Sequence, residues 1–195
     1  MRQSGSAVPT LSLIVSSIAW FFMCSSPAAR RKAPLKWQLL ALFTLGESIA
    51  VGFISSFYRF STVLSALSAT GIATLGVSAY TILNRNAKYD LSQWGAGLSS
   101  MLLVFLFYSV IHLLEVVGVL PAGFLPYREG VFSFIGACLF SAFLAYDTKL
   151  IVGGKHSKYQ MNDKDYVFGA MSIYVDIVNI FIYIMRAIGG DSHDD

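Results

Sequence analysis

The sequence predicts an all-α integral membrane protein, with six transmembrane helices in one polytopic domain over residues 1–195. Of the 195 residues, 55% are hydrophobic and only 13% are charged, and the mean hydropathy is +0.63. A soluble domain cannot bury so large an apolar share. A helix needs about 20 apolar residues to cross a bilayer. Six such runs, bounded by charges, Pro or Gly, cover residues 8–25, 37–58, 62–83, 97–119, 130–152 and 166–188.

The first run, 8–25, has an alternative interpretation. Arg2, the apolar stretch and the small residues of CSSPAA resemble a secretory signal peptide with its cleavage site. However, Arg30, Arg31 and Lys32 follow at once, and such a cluster normally holds its flank in the cytoplasm, whereas the residues after a cleaved signal would be outside. We therefore expect this run to be a transmembrane helix.

Polar residues within the second to fourth runs are weaker signals. Glu47, with Thr44 and Ser48 nearby, lies about mid-helix and is either a hydrogen bonder between helices or a third acid on a polar pathway. His112 and Glu115 are three residues apart on one helix face, which favours a local ion pair over a metal site. In the third run, small and hydroxyl residues recur at steps of three and four, at Gly71, Thr74, Ser78 and Thr81. We interpret this spacing as a packing seam.

The distribution of Lys and Arg predicts the orientation. Six spans place the first, third and fifth connections on one side, which holds ten of the fourteen basic residues. Basic residues concentrate on the cytoplasmic side of membrane proteins. We therefore expect cytoplasmic connections and termini that are outside or lumenal. The net charge of +3 follows from this topology, so we expect no nucleic-acid partner.

The sixth run carries a polar stripe on an otherwise apolar helix. Steps of three and four residues place its members on one face, and they are Gly169, Ser172, Asp176, Asn179, Tyr183 and Arg186. The stripe is either a close-packing seam or the lining of a polar pathway. Asp176 lies ~15 Å into the helix, where an aspartate costs about 2.5 to 3.5 kcal/mol. This cost favours a function for Asp176.

Asp147, near the end of the fifth run, is the natural counterpart of Asp176. Adjacent antiparallel helices would bring the two carboxyl groups to depths that differ by only ~7 Å. If they meet, both cannot ionise cheaply, so the pair would share a proton and form a proton-sensitive gate or a divalent-cation site. In the alternative interpretation, Asp147 reaches the interface beside Lys149 and Asp176 merely accepts hydrogen bonds.

The carboxy-terminal third also carries a specific resemblance. The segments AYDTKLIVGGKH and DKDYVFGAMSIYVDIVNIFIYIMRAIG resemble the signature of the Bax inhibitor motif (Lifeguard) membrane family. The earlier segments ARRKAPLKW, FTLGESIAVGFISSFY and TGIATLGVSAYTI resemble the preceding parts of that family in the same order. The resemblance therefore covers nearly the whole chain.

This resemblance implies a fold in which a central last helix, here 166–188, is wrapped by two layers of three helices. It implies that Asp147 and Asp176 are the aspartate pair that gates the pore, and it points to Arg30 as the candidate basic latch on that pair. Similar members usually have seven helices, and the run 8–25 corresponds to their second. We therefore expect that the first helix of the usual seven is absent from this sequence.

The function that the resemblance implies is a pH-sensitive calcium leak in an intracellular membrane, which regulates calcium homeostasis and suppresses apoptotic cell death. The endoplasmic reticulum or Golgi, with lumenal termini, is the expected location. Glu47 and Asn179 are further candidate pathway residues. We expect no cofactor. Ca²⁺ is the expected transported ion, and it would pass near Asp147 and Asp176. The expected partners are the lipid bilayer and other cell-death regulatory membrane proteins.

Two other function classes stay open. A membrane scaffold would inhibit cell death through protein partners without conducting ions. An intramembrane aspartyl protease would also use two membrane aspartates, but such enzymes carry a GxGD motif, whereas Asp176 follows IYV. We therefore expect that the protein is not an enzyme.

Overall fold

The computed structural model describes residues 4–83, 93–116, 119–121, 129–153 and 161–190. All long secondary-structure elements in these ranges are α-helices. The helices, in chain order, are α1 (Ser4–Ser25), α2 (Pro27–Arg31), α3 (Leu35–Ser55), α4 (Phe60–Leu83), α5 (Gly95–Val116), α6 (Glu129–Val152) and α7 (Tyr166–Gly190), with a 3-10 turn, Asp163–Asp165, before α7.

The predicted all-α membrane fold is confirmed, and the protein is an integral, multi-pass membrane protein. Among the described residues, five helices are long and apolar enough to cross a membrane, namely α3 to α7. The apolar stretch of α1, Leu11–Ser25, is shorter than these five. Each of the six apolar runs of the sequence overlaps one of the six long helices, and α2 is an additional short helix between the first two.

Local signals explain why α2 is short and separate. The Ser26 side chain accepts a hydrogen bond from the backbone N–H of Ala29 at 3.4 Å, and Pro27 occupies the first helical position, where no backbone donor is needed. The backbone becomes extended at Lys32, which ends the helix. The chain therefore turns between α1 and α3 within a few residues, at the end of the bundle that carries the RRK cluster.

The end of α6 and the 3-10 turn before α7 lie at the same end of the bundle. Gly153 has φ 59°, a left-handed conformation that costs glycine little, and its N–H bonds the carbonyl of Lys149 at 2.9 Å to end α6. The Asn162 side chain accepts a hydrogen bond from the N–H of Lys164 at 2.9 Å and caps the 3-10 turn. We call this end of the bundle, with α2 and the 3-10 turn, the basic end.

The last helix, α7, lies at the centre of the bundle, as predicted. In the most apolar 18-residue stretch of α7, 33% of the residues are buried, whereas 11 to 22% are buried in the corresponding stretches of α3 to α6. It packs most extensively against α6, then against α4 and α3. Aromatic contacts extend this packing to the remaining helices, because Phe168 stacks on Trp20 of α1 at 5.5 Å and Tyr183 meets Phe105 of α5 at 5.5 Å.

The α1–α3 interface is the second close contact of the bundle. A Cβ atom on Gly46 would lie 2.7 Å from the backbone oxygen of Ser12 and 2.9 Å from Cβ of Ser16, so only glycine fits there. Ala19 and Ala50 are also buried. Small residues let two membrane helices approach closely, and α1 is held against α3 in this way.

Candidate functional site

The structure brings Asp147 of α6 and Asp176 of α7 together inside the bundle. The two carboxyl groups are close enough to interact electrostatically. The hydroxyl of Ser172, one turn before Asp176 on α7, hydrogen-bonds the carboxylate of Asp147. Asp147, Ser172 and Asp176 therefore form one polar cluster across the α6–α7 interface, which we call the acid pair site.

The two acids differ in burial and in hydrogen bonding. Asp176 is only 4% exposed, and its Oδ2 has no hydrogen-bond partner among the residues that the structure describes. Asp147 is half-buried and has the Ser172 hydroxyl. An unpaired carboxylate oxygen in an apolar interior is costly unless a proton or a cation compensates it. The site therefore contains one acid with a hydrogen-bond donor and one acid oxygen that has none.

The predicted polar stripe of α7 faces α6. At one end, Gly169 lies against Ile151, whose side chain would be 3.0 Å from a Cβ at that position. At the other, the ring of Tyr183 lies against Gly136, and an added Cβ would be 2.7 Å from it. The stripe is thus a close-packing seam at its ends, and the acid pair site occupies its middle.

Asn179, a candidate pathway residue, lies one turn beyond Asp176 on α7. Its side-chain amide donates to the carbonyl of Val175 on the same helix at 2.8 Å. The amide N–H is thereby satisfied within α7.

Arg30 and Arg31 lie at the basic end and contact the first turns of α7. The guanidinium of Arg30 lies 5.1 Å from the ring centroid of Phe168. Phe168 precedes Asp176 by eight residues, or ~12 Å along the helix. In this structure the candidate latch Arg30 therefore stacks on an aromatic ring about two turns from the acid pair site.

The neighbouring arginine makes the ion pair at this end. Arg31 Nε and one terminal nitrogen donate to the two carboxylate oxygens of Asp165 at 2.9 and 3.1 Å, a bidentate geometry. This hydrogen bonding raises the pKa of the Arg31 guanidinium above its ordinary value. Sequence reasoning missed this pair, because 134 residues separate its members and no local pattern connects them.

Glu47 lies in the α1–α3 interface, away from the acid pair site. The Ser16 hydroxyl is 2.8 Å from Glu47 Oε1 and 3.1 Å from the carbonyl of Leu13. Of the two interpretations from the sequence, this contact is the one expected of a hydrogen bonder between helices.

The part of the chain that the structure describes holds no group of three or more His, Cys, Asp or Glu residues that could bind a metal ion. The interpretation of His112 with Glu115 as an ion pair stays a prediction, since the side chain of Glu115 lies outside the described residues. The basic residues of the connections at 84–92 and 154–160, on which the predicted orientation partly rests, also lie outside the described residues.

The fold and the acid pair site define a polytopic membrane protein with a central helix and two acids in its interior. The family model described as inhibitor of apoptosis-promoting Bax1 matches residues 1–193. The chain therefore belongs to the Bax inhibitor (Lifeguard) family, which is linked to the inhibition of apoptosis, and the resemblance noted from the sequence is confirmed.

Individual relatives agree with this membership. The chain is 33% identical to protein lifeguard 4 of Mus musculus over 158 residues, which cover 80% of this chain and 59% of that protein. It is 29% identical to mouse and 28% identical to human protein lifeguard 3, each over 183 residues that cover 94% of this chain and 56% of the relative. The chain thus spans a little over half the length of these relatives.

Proposed function

We propose that the protein is a pH-sensitive calcium leak channel of an intracellular membrane, and that Asp147 and Asp176 are its proton-sensing gate. The observation that carries the proposal is the acid pair site, where two carboxyl groups approach each other within the α6–α7 interface. A membrane bundle rarely retains such groups without a use.

The chemistry of the pair supports a proton-dependent gate. Two neighbouring carboxyl groups in a low-dielectric site titrate as a coupled unit, because the second charge is opposed by the first and by the loss of water. With one shared proton the pair is held together, and α6 and α7 stay closely packed. When the pair becomes fully charged, repulsion favours separation of the two helices, which opens the pathway.

Calcium fits the same groups as a passing ion. Ca²⁺ binds oxygen ligands, about six to eight of them in a stable site. The acid pair site offers two carboxyl groups and the Ser172 hydroxyl, so the protein supplies fewer oxygens than a storage site would need. Binding is therefore weak and exchange is fast, as permeation requires. Asn179, one turn beyond Asp176, is proposed as a further oxygen donor on the pathway, whereas Glu47 is proposed as a hydrogen bonder between α1 and α3.

The family and the charge distribution support the proposed cellular setting. Family membership is linked to apoptosis inhibition, and a leak that lowers lumenal calcium would act in that direction. We place the protein in the endoplasmic reticulum or Golgi, with lumenal termini and the basic end in the cytoplasm. In this proposal Arg30 acts as a latch on Asp147 in a state other than the one described above.

Calcium flux in proteoliposomes tests the proposal. The purified chain is compared with Asp147→Asn, Asp176→Asn and the double variant from about pH 5 to about pH 8. Asp163→Asn is the matched control, because Asp163 is exposed on the 3-10 turn outside the acid pair site. We expect a pH-dependent flux in the wild type and the control, and a flat profile in the double variant.

Two results would contradict the proposal. A double variant with the wild-type pH profile would place the gate elsewhere. Absence of flux from folded protein would favour the scaffold alternative, in which the wide apolar faces of α1 and α5 bind other membrane helices instead of lining a conducting bundle. Protection of cells that persists in the double variant would support that alternative as well.

A further inference from the structure

The basic end presents a cationic surface next to the expected membrane boundary. It is made by Arg30, Lys32 and Lys36, together with the aromatic rings of Trp37 and Tyr166. Arg30 is on α2, Lys36 and Trp37 are in the first turn of α3, and Tyr166 begins α7. Three segments of the chain therefore converge on one patch, where α1 and α6 end and where α3 and α7 begin.

The charge of this patch is only partly neutralised by the protein. Within α2, the Lys32–Lys36 segment and the 3-10 turn, there are five cations and two carboxylates, an excess of three positive charges. The bidentate ion pair with Asp165 belongs to Arg31. Arg30 Nε is buried and has no hydrogen-bond partner among the described residues. An anionic ligand would supply the missing acceptor.

Aromatic rings place this patch at the level of lipid headgroups. Trp37 and Tyr166 are 49% and 52% exposed, and their ring centroids are 6.2 Å apart. Exposed Trp and Tyr side chains at the ends of membrane helices lie at the headgroup level. Lys36 Nζ donates to the Tyr166 hydroxyl at 2.9 Å and lies 4.4 Å from that ring centroid. This contact holds the ammonium group at the same depth.

We propose that this cationic surface binds the headgroup phosphate of an anionic phospholipid in the cytoplasmic leaflet. Basic clusters next to membrane helices attract anionic lipids, and basic pockets between helices bind their phosphate groups. Lys32 is exposed and free to approach the phosphate from the solvent side. Arg30 and Lys36, which rest on aromatic rings, would approach it from the protein side. The proposal does not depend on ion conduction.

Short-chain lipids added to the full chain in detergent micelles give the test. The probes are dioctanoyl phosphatidylglycerol, dioctanoyl phosphatidylcholine and free glycerol phosphate, with dissociation constants from native mass spectrometry or thermophoresis. We expect the anionic lipid to bind at least about fivefold more tightly than the zwitterionic one. The Lys32→Gln, Lys36→Gln double variant should weaken binding of the anionic lipid by about twenty-five-fold, that is about fivefold for each lysine.

Control variants separate a site from general electrostatics. Arg59→Gln removes a cation from the opposite end of α3, and should leave the affinity within about twofold. The Lys32→Arg, Lys36→Arg variant keeps both charges and should bind as the wild type does; loss of binding in this variant, once it is shown to be folded, would contradict the proposal. Equal affinity for the two lipids, or an unchanged double Gln variant, would overturn it. Glycerol phosphate that binds as tightly as the lipid would identify a soluble phosphate ligand and overturn the assignment to a lipid.

Discussion

The α1–α3 and α6–α7 interfaces each enclose acidic groups within the membrane-spanning bundle, but they differ in how the acid oxygens are satisfied. In the α1–α3 interface, Glu47 meets the Ser16 hydroxyl at 2.8 Å. In the α6–α7 interface, Asp176 has an oxygen without a partner among the described residues and a second carboxyl group nearby. Glu47 thus has a hydrogen-bond donor from the neighbouring helix, whereas Asp176 has a buried oxygen whose burial cost a proton or a cation would offset.

This difference in hydrogen bonding distinguishes Glu47 from the acid pair. A hydrogen bond between two membrane helices is worth about 0.6 kcal/mol on average, so the Ser16–Glu47 contact contributes to packing at low cost. An unpaired acid has the opposite effect on stability, because its burial is unfavourable. We infer that the α1–α3 interface serves the fold and that the α6–α7 interface serves the proposed gate.

The largest effect on stability is expected from the α1–α3 interface. Gly46→Ala would place a Cβ atom 2.7 Å from the Ser12 backbone oxygen, and such overpacking costs about 1 to 3 kcal/mol. Thermal unfolding in detergent measures the loss. Gly52→Ala on the same helix is the matched control, because an added Cβ there meets nothing within 4 Å. Equal unfolding temperatures for the two variants would show that α1 does not pack on Gly46 as described.

A smaller loss is expected at the acid pair site. Ser172→Ala removes the hydroxyl that hydrogen-bonds Asp147, and a lost hydrogen bond costs about 1 kcal/mol. Chemical unfolding compares this variant with Ser141→Ala on α6, whose hydroxyl bonds only its own helix, at the Ala137 carbonyl, at 2.8 Å. If Ser172→Ala is no less stable than Ser141→Ala, the hydroxyl does not hold Asp147 in place.

The smallest effect is expected from Glu47→Gln. The amide is nearly the same size as the acid and keeps a hydrogen bond with Ser16, so the free energy of unfolding should change by less than about 0.6 kcal/mol. Ser16→Ala, which removes the contact itself, provides the comparison. A loss of several kcal/mol in Glu47→Gln would mean that the negative charge, and not the hydrogen bond, matters in this interface.

The membrane fold and the acid pair could be predicted because both leave periodic signals in the sequence. Apolar runs of about 20 residues identify helices that cross a bilayer. Steps of three and four placed Ser172 and Asp176 on one face of α7, and antiparallel geometry brought Asp147 to a similar depth. The proximity of the two acids in the structure follows from these rules, whereas their function stays a proposal.

The packing partners of the other helices were harder to predict. The predicted seam on α4 included Gly71, but that position is exposed and an added Cβ would meet nothing within 4 Å. Of the predicted seam residues Thr81 is buried, and the other buried residues of α4 are Thr62, Ala66 and Thr70. Lipid-facing and helix-facing surfaces are both apolar in a membrane, so periodicity alone does not distinguish them. The Arg31–Asp165 pair likewise depends on tertiary contact.

The most direct test of the central inference compares the two interfaces in one flux assay. Calcium efflux from proteoliposomes is measured from about pH 5 to about pH 8 for Asp176→Asn and for Glu47→Gln. We expect Asp176→Asn to flatten the pH profile, because the pair loses one of its two titrating groups, and Glu47→Gln to leave it unchanged. A flattened profile in Glu47→Gln with a normal profile in Asp176→Asn would contradict the assignment of the gate to the α6–α7 interface.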